Sequence, residues 1–283
     1  MFGFLNIYKP KGKTSHDVVA ILRRIAKVKQ IGHTGTLDPF AEGVLPICTG
    51  KSTRLIEYLN DEKAYIGTIQ LGNSTTTYDI EGDVVNTSEK SVTESEIEVE
   101  LGTFRGEIKQ LPPIYSAIKV NGKKLYEYAR KGEAVNIEPR KVNIYKCDIL
   151  KYDSESRQLE LYIECSKGTY IRSIANDLGE KLGTFGHLIK LIRVKAGAFE
   201  ILDSIKLEEF KTADDIEKHL INPLKKLDYP VFEINEREKQ LISNGGKISL
   251  VSKDGITILT CNGSIVAIGK VLGGIFKPDK VFI

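Results

Sequence analysis

IGHTGTLDPFAEGVLPICTGKSTR, residues 31–54, is the stretch from which the rest of this chain is best read. Four glycines, Gly32, Gly35, Gly43 and Gly50, surround one aspartate, Asp38, which precedes a proline. A segment this rich in Gly, Thr and Pro makes a poor core element, because Gly is flexible and Pro lacks a backbone donor. It makes a good scaffold for holding a reactive side chain against a ligand. Gly50-Lys51-Ser52 resembles the end of a phosphate-binding loop, which requires Gly five residues before the Gly-Lys pair. Leu45 stands at that position and Pro46 lies inside the loop, so the nucleotide-binding reading is rejected. Lys51, Ser52 and Arg54 remain residues able to touch phosphate. Asp38 and Glu42 have the composition of a glycosidase carboxylate pair. By spacing alone, an Asp before Pro is better explained as a turn former.

On either side of this loop the pattern alternates between helix and strand. Residues 2–9 predict a strand. Ser15 is placed to cap a helix over 16–27, with Val18, Ile21, Leu22 and Ile25 on one face. A short helix is predicted at 55–59, a strand at 64–71, loop over 73–90, and an acidic helix at 93–101 opened by Thr93. Asn121-Gly122 signals a hairpin, and Gly132 closes a short helix at 124–131. Strands at 141–152 and 158–165 are predicted to pair, with Leu159, Leu161, Ile163 and Cys165 facing inward. A helix follows Lys167-Gly168-Thr169 and ends at Gly183. Residues 190–202 read as extended and 206–220 as helical. Beyond Tyr229-Pro230, short apolar runs broken by Gly pairs predict a small β-barrel or sandwich.

The chain has 283 residues, 41% hydrophobic and 28% charged, enough for one large domain and a small one. No signal peptide or membrane-length apolar run is visible. The four cysteines are scattered without a CxxC pair, which argues against zinc and thioredoxin chemistry and for a reducing cytoplasm. His16, His33, His187 and His219 show no ligand spacing, and the zinc deaminase signature is absent, so no metal is expected. The net charge of +3 is unevenly distributed: residues 1–60 carry +5, residues 61–104 carry −8, and residues 105–146 carry +6. Two basic blocks around an acidic one suit a polyanion-binding surface, although solvated faces explain the same pattern.

Five blocks carry a family resemblance. GHTGTLDPFAEGVLP (32–46) resembles the catalytic motif of the bacterial tRNA pseudouridine synthases of the TruB family. KPKGKTS (9–15), KAYIGTIQLGNSTTTYDIEG (63–82), PPIYSAIKVNGKKLYEYARKG (112–132) and CSKGTYIRSIANDLGEKLG (165–183) resemble its other blocks, in family order. The C-terminal segment is similar to the PUA-like RNA-binding domain that ends many members. The resemblance implies an α+β catalytic domain over 1–228 with a mostly antiparallel central sheet, and a PUA-like β domain over 229–283.

It also implies an activity: isomerisation of uridine 55 in the TΨC arm of tRNA to pseudouridine, without cofactor or metal. Asp38 matches the catalytic carboxylate, which attacks the nucleoside or takes a sugar proton while the glycosidic bond breaks. Arg172 matches the arginine that pairs with it. Tyr65 matches the tyrosine that stacks on the target base and is a candidate for removing the C5 proton. Tyr170 and Leu191 match positions that wall the uracil pocket, and His33 matches the histidine that fills the space left by the flipped base. Lys9, with Lys11, Lys13 and the 105–146 basic block, is expected to contact backbone phosphate. The expected partner is the tRNA T-arm stem-loop, with no nucleotide cofactor and no membrane, and a monomer is expected. The family commonly has LRRTRSG where this chain has LIRVKAG (191–197), keeping Arg193 but replacing two arginines and a serine. The rival readings are a non-catalytic RNA-binding or chaperone protein and a synthase acting on another RNA.

Overall fold

The computed structural model describes residues 1–282. Its centre is a ten-stranded mixed sheet of an α+β fold. In spatial order the main path runs through Ile205–Lys206, Gly3–Lys9, Glu42–Thr49, Gly186–Ala196, Lys63–Leu71, Gln158–Cys165, Arg140–Asp153 and Gly106–Gln110. Ile31–His33 and Phe199–Glu200 pair off this path. Most neighbours are antiparallel, as expected. The strand at 158–165 buries every second residue, Leu159, Leu161, Ile163 and Cys165, because successive side chains point to opposite faces.

One parallel joint organises the molecule. Glu42–Thr49 meets Gly186–Ala196 through only two register pairs, Ile192 with Glu42 and Arg193 with Gly43. The joint needs glycine at position 43: φ is +104°, and an added Cβ would stand 2.4 Å from the Arg193 carbonyl oxygen. The loop carrying Asp38 enters the sheet at this joint.

Helix Ile171–Leu182 covers the larger half of the sheet, with Ile171, Ile174, Ala175, Leu178 and Leu182 in one apolar core. Gly179 lets the helix approach the next strand, since a Cβ there would lie 2.2 Å from the Gly186 nitrogen. Gly183, in the left-handed conformation, ends the helix as predicted. Helix Ser15–Ala26 covers the smaller half, burying Val18, Val19 and Leu22 against Leu5, Ile7, Leu45 and Ile47. Its cap is Thr14, not Ser15. Thr14 and Asp17 form a reciprocal capping box, which leaves Ser15 buried and free to bond elsewhere.

The hairpin at Asn121-Gly122 forms as predicted, with Lys119–Val120 pairing Lys123–Lys124 and φ of 51° and 82° at the turn. The 73–90 loop contains a small hairpin, Asn73–Thr75 with Val84–Thr87. Only Ala213–Lys218 of the expected 206–220 helix is α-helical.

Residues 231–281 form a separate five-stranded sheet with one helix, Glu236–Ser243, that periodicity does not reveal. This sheet docks on the first body through a shared apolar cluster, in which Phe4, Leu55, Tyr58 and Phe199 meet Ile258, Ile265, Ile268 and Phe282. The 3₁₀ stretch Gly50–Tyr58 contributes to this joint. Arg54 Nη1 donates to Val281 O at 2.7 Å, and Glu57 pairs with Lys280 at 3.1 Å. Ser52 is fully buried, bonding Gly3 O and Thr49 O. Ser52 therefore serves the fold and not phosphate, while Arg54 ties the two bodies together from an exposed position. Among the described residues, no helix is long and apolar enough to cross a membrane.

Candidate active site

The Asp38 loop is tied down from several sides. The Leu37 N–H donates to Ser15 Oγ at 2.8 Å, and that hydroxyl donates back to Leu37 O. Gly12 N–H donates to Pro39 O, and Ala41 N–H to Asp38 O. Arg193 donates to the carbonyls of Gly35 and Thr36. A Gly- and Thr-rich segment with no ladder of its own is thus held by partners from three other parts of the chain.

Lys9 is one of these partners. Its side chain is fully buried, and its ammonium donates to the carbonyls of Pro10, Lys13 and Pro39. Burial lowers its pKa to about 8, with Asp38 opposing the shift and Arg193 adding to it. The expectation of a phosphate contact is therefore corrected: Lys9 closes the 10–13 turn onto the Asp38 loop. Lys11 and Lys13 are exposed on the same turn.

Asp38 meets Arg172 across 134 residues of sequence. Arg172 Nε lies 2.9 Å from Asp38 Oδ2, and Nη2 donates to Oδ1 at 3.1 Å. The Arg172 side chain is 6% exposed and that of Asp38 is 32%, so the carboxylate is the accessible member of the pair and the guanidinium the buried one. Burial raises the Asp38 pKa above its ordinary value. Arg172 opposes that shift and the Asp79 charge adds to it.

Asp79, inside the TTTYDIEG block, is a partner to which the sequence reading assigns no role. It is buried, and its Oδ2 lies 3.3 Å from Arg172 Nη1. Its other oxygen accepts from Thr77 Oγ1 at 2.6 Å and from Glu81 N–H at 3.0 Å. Arg172 thus lies between two carboxylates, and it also donates to Thr77 O and Tyr115 O. Gln110, likewise without an expected role, is buried and holds Tyr170 through both backbone groups, at 3.0 and 2.8 Å. Ser173 Oγ donates to Leu111 O, binding the 110–116 segment across the start of the helix.

Tyr65, Leu191, Leu37, Phe40 and Ile171 share one apolar cluster beside Asp38. Burial pushes the Tyr65 phenol up to about 12, against the pull of Arg193, its cross-strand neighbour. Tyr170 is half-buried, and burial raises the pKa of its phenol. His33 ends the short strand Ile31–His33. Burial and the Arg193 charge lower its pKa, which favours the neutral ring. Its Nδ1 is buried without a partner among the described residues. Arg193, the arginine kept in the 191–197 block, is fully buried.

Comparison with known proteins follows the same lines. The description "TruB family pseudouridylate synthase (N terminal domain)" matches residues 23–171, and "tRNA pseudouridylate synthase B C-terminal domain" matches 172–231. The chain is 43% identical to tRNA pseudouridine synthase B of Carboxydothermus hydrogenoformans, covering 100% of this chain and 99% of that protein. It is 40% identical to the protein of the same name from Geobacillus thermodenitrificans, with both chains covered completely. Among solved structures it is similar to a chain of a Cbf5-Nop10-Gar1 complex, with a TM-score of 0.73 and 25% identity, covering 100% of this chain and 85% of that one.

Proposed function

Because the chain belongs to the TruB family of pseudouridylate synthases, we propose that it isomerises uridine 55 in the T-arm of tRNA to pseudouridine, as a monomer and without a cofactor. The observation that carries this reading is the partly exposed Asp38 carboxylate, paired with the buried Arg172 guanidinium. Such a group can attack C1′ or take a proton from the sugar as the glycosidic bond breaks. Arg172 keeps it aimed and favours its ionised form.

The uridine must leave its stack to reach Asp38, at a cost of a few kcal/mol. Neutral His33 takes the vacated place. Tyr65 stacks on the base, which Tyr170 and Leu191 enclose while it is detached. Tyr65 then accepts the C5 proton after the base has turned and C5 has bonded to the sugar. Lys11, Lys13 and the basic hairpin around Lys123 and Lys124 grip phosphate, which positions the RNA without reading its sequence. Residues 229–283 extend that grip as a PUA-like domain.

The test is tritium release from a tRNA transcript labelled at C5 of its uridines, compared with one carrying cytidine at position 55. Release from the first alone is expected. Equal release from both would place the target elsewhere, and release from neither would remove the activity.

A further inference from the structure

Arg193 is the largest fully buried side chain of the molecule among the described residues. Its Nε donates to Val44 O at 2.7 Å, Nη1 to Thr36 O at 3.3 Å and Nη2 to Gly35 O at 3.1 Å. Tyr65 stands beside it on the adjacent strand, its phenol within electrostatic reach. The three groups that Arg193 bonds are all neutral carbonyls, so a cation that cannot shed its proton has no carboxylate in contact and only the Asp38 charge nearby. Isolating a charge in this way is costly.

The backbone shows why phenol and guanidinium meet. Arg193 and Tyr65 are opposite one another on adjacent antiparallel strands, where facing side chains share one side of the sheet. On its other flank Arg193 meets Gly43, at the joint between the two halves of the sheet. One side chain therefore touches the strand bearing Tyr65, the loop leading into Asp38, and the strand leaving that loop.

We propose that Arg193 is a positioning residue for the reaction: it fixes the Tyr65 phenol and the Asp38 loop as one unit, and its charge stabilises the phenolate of Tyr65. This rests on the reading of Tyr65 as the base above. The phenol first gives its proton to water. The phenolate oxygen then takes the proton from C5, and the electron pair of the broken C–H bond restores the ring double bond. The next turnover begins with loss of that proton to water. The groups whose charge reaches the pair are Asp38 from the loop, Cys165 from the strand beyond Tyr65, and Lys63, His33 and Lys9 around Arg193. Only Asp38, when ionised, and Cys165, as a thiolate, oppose a phenolate. Arg193 is the cation set directly opposite it on the neighbouring strand.

The test is single-turnover tritium release from T-arm RNA between pH 6 and 9.5. It compares wild type, Arg193→Lys, and both chains carrying a fluorinated, more acidic tyrosine at position 65. Arg193→Lys should slow release on the order of 10²-fold near neutral pH, as loss of a donor to a developing anion does. RNA binding by filter retention should stay near wild type. The deficit should shrink as pH rises, and the fluorinated tyrosine should recover much of it. In the otherwise wild-type chain, whose fold is undisturbed, the same tyrosine should speed release at pH 6. A deficit constant with pH and unmoved by fluorination, or no deficit, overturns the proposal and leaves Arg193 as a loop clamp. Absence of release by the wild type would instead defeat the underlying activity.

Discussion

Two buried arginines stand on either side of the Asp38 loop, and their surroundings differ. Arg172 projects from a helix between two carboxylates, Asp38 and Asp79. Arg193 projects from a strand among three carbonyls and a phenol. The first has its charge compensated, so its energetic role is to hold two acids that would otherwise repel. The second has no carboxylate in contact, so its field reaches a neighbour that becomes negative. The difference teaches that burial alone does not assign a role to an arginine; the charge state of its partners does.

The strongest way to break the first arrangement is Asp38→Ala. Product formation should fall below detection while tRNA binding by filter retention persists. Measurable turnover would remove Asp38 from the chemistry. Arg172→Met comes next, because it leaves Asp79 buried without its cation. A loss of roughly 3–5 kcal/mol in denaturant stability is expected, with Asp79→Asn in the same chain restoring part of it. If Asp79→Asn restores nothing, the two side chains are not coupled.

On the Arg193 side, Gly43→Ala should cost roughly 1–3 kcal/mol and reduce turnover. A Cβ there meets the Arg193 backbone, and the left-handed φ adds strain. Unaltered stability in a denaturant titration would show that the joint can widen freely.

Lys9 sharpens the contrast most finely. Like Arg193 it lies among carbonyls, yet an ammonium can answer by losing its proton. Its pKa is lowered to about 8 in the fold, against about 10.4 unfolded. Between these values the unfolded chain binds more protons, so stability should rise with pH across that window. The rise should be at most a few kcal/mol. Below pH 8 both states are protonated and the cost of the buried charge is present in full. Thermal melts from pH 7 to 10 should show this rise in the wild type and a flatter profile in Lys9→Met. Equal slopes would assign the pH dependence to other groups.

Much of this site is legible in the amino-acid sequence. The inward alternation of 158–165, the turn at Asn121-Gly122 and the stop at Gly183 follow from local rules of side-chain direction and backbone freedom. Asp38 and Arg172 are legible as a pair only through the motif resemblance, since they lie 134 residues apart. Asp79 lies inside one of the matching blocks, but its partner is fixed by tertiary packing. The helix at 236–243 escapes the pattern because its sequence, EREKQLIS, buries only Ile242 and so shows no apolar stripe.

The sequence by itself determined the elements, the glycine-rich loop and the reactive carboxylate, because these depend on neighbours a few residues away. Only the tertiary structure decided which cations face which partners. Lys9 reads as a charge with an affinity for phosphate and Arg193 as one arginine of a variant block, yet both point inward. Their direction is set by strand register: Lys9 opposite Gly43, and Arg193 between Gly43 and Tyr65. Register is a relation between distant segments, and it is specified by the packing of both faces of the sheet at once. A linear pattern can show that a lysine or arginine alternates into the core, but not whether a carboxylate, a carbonyl or a phenol is waiting there.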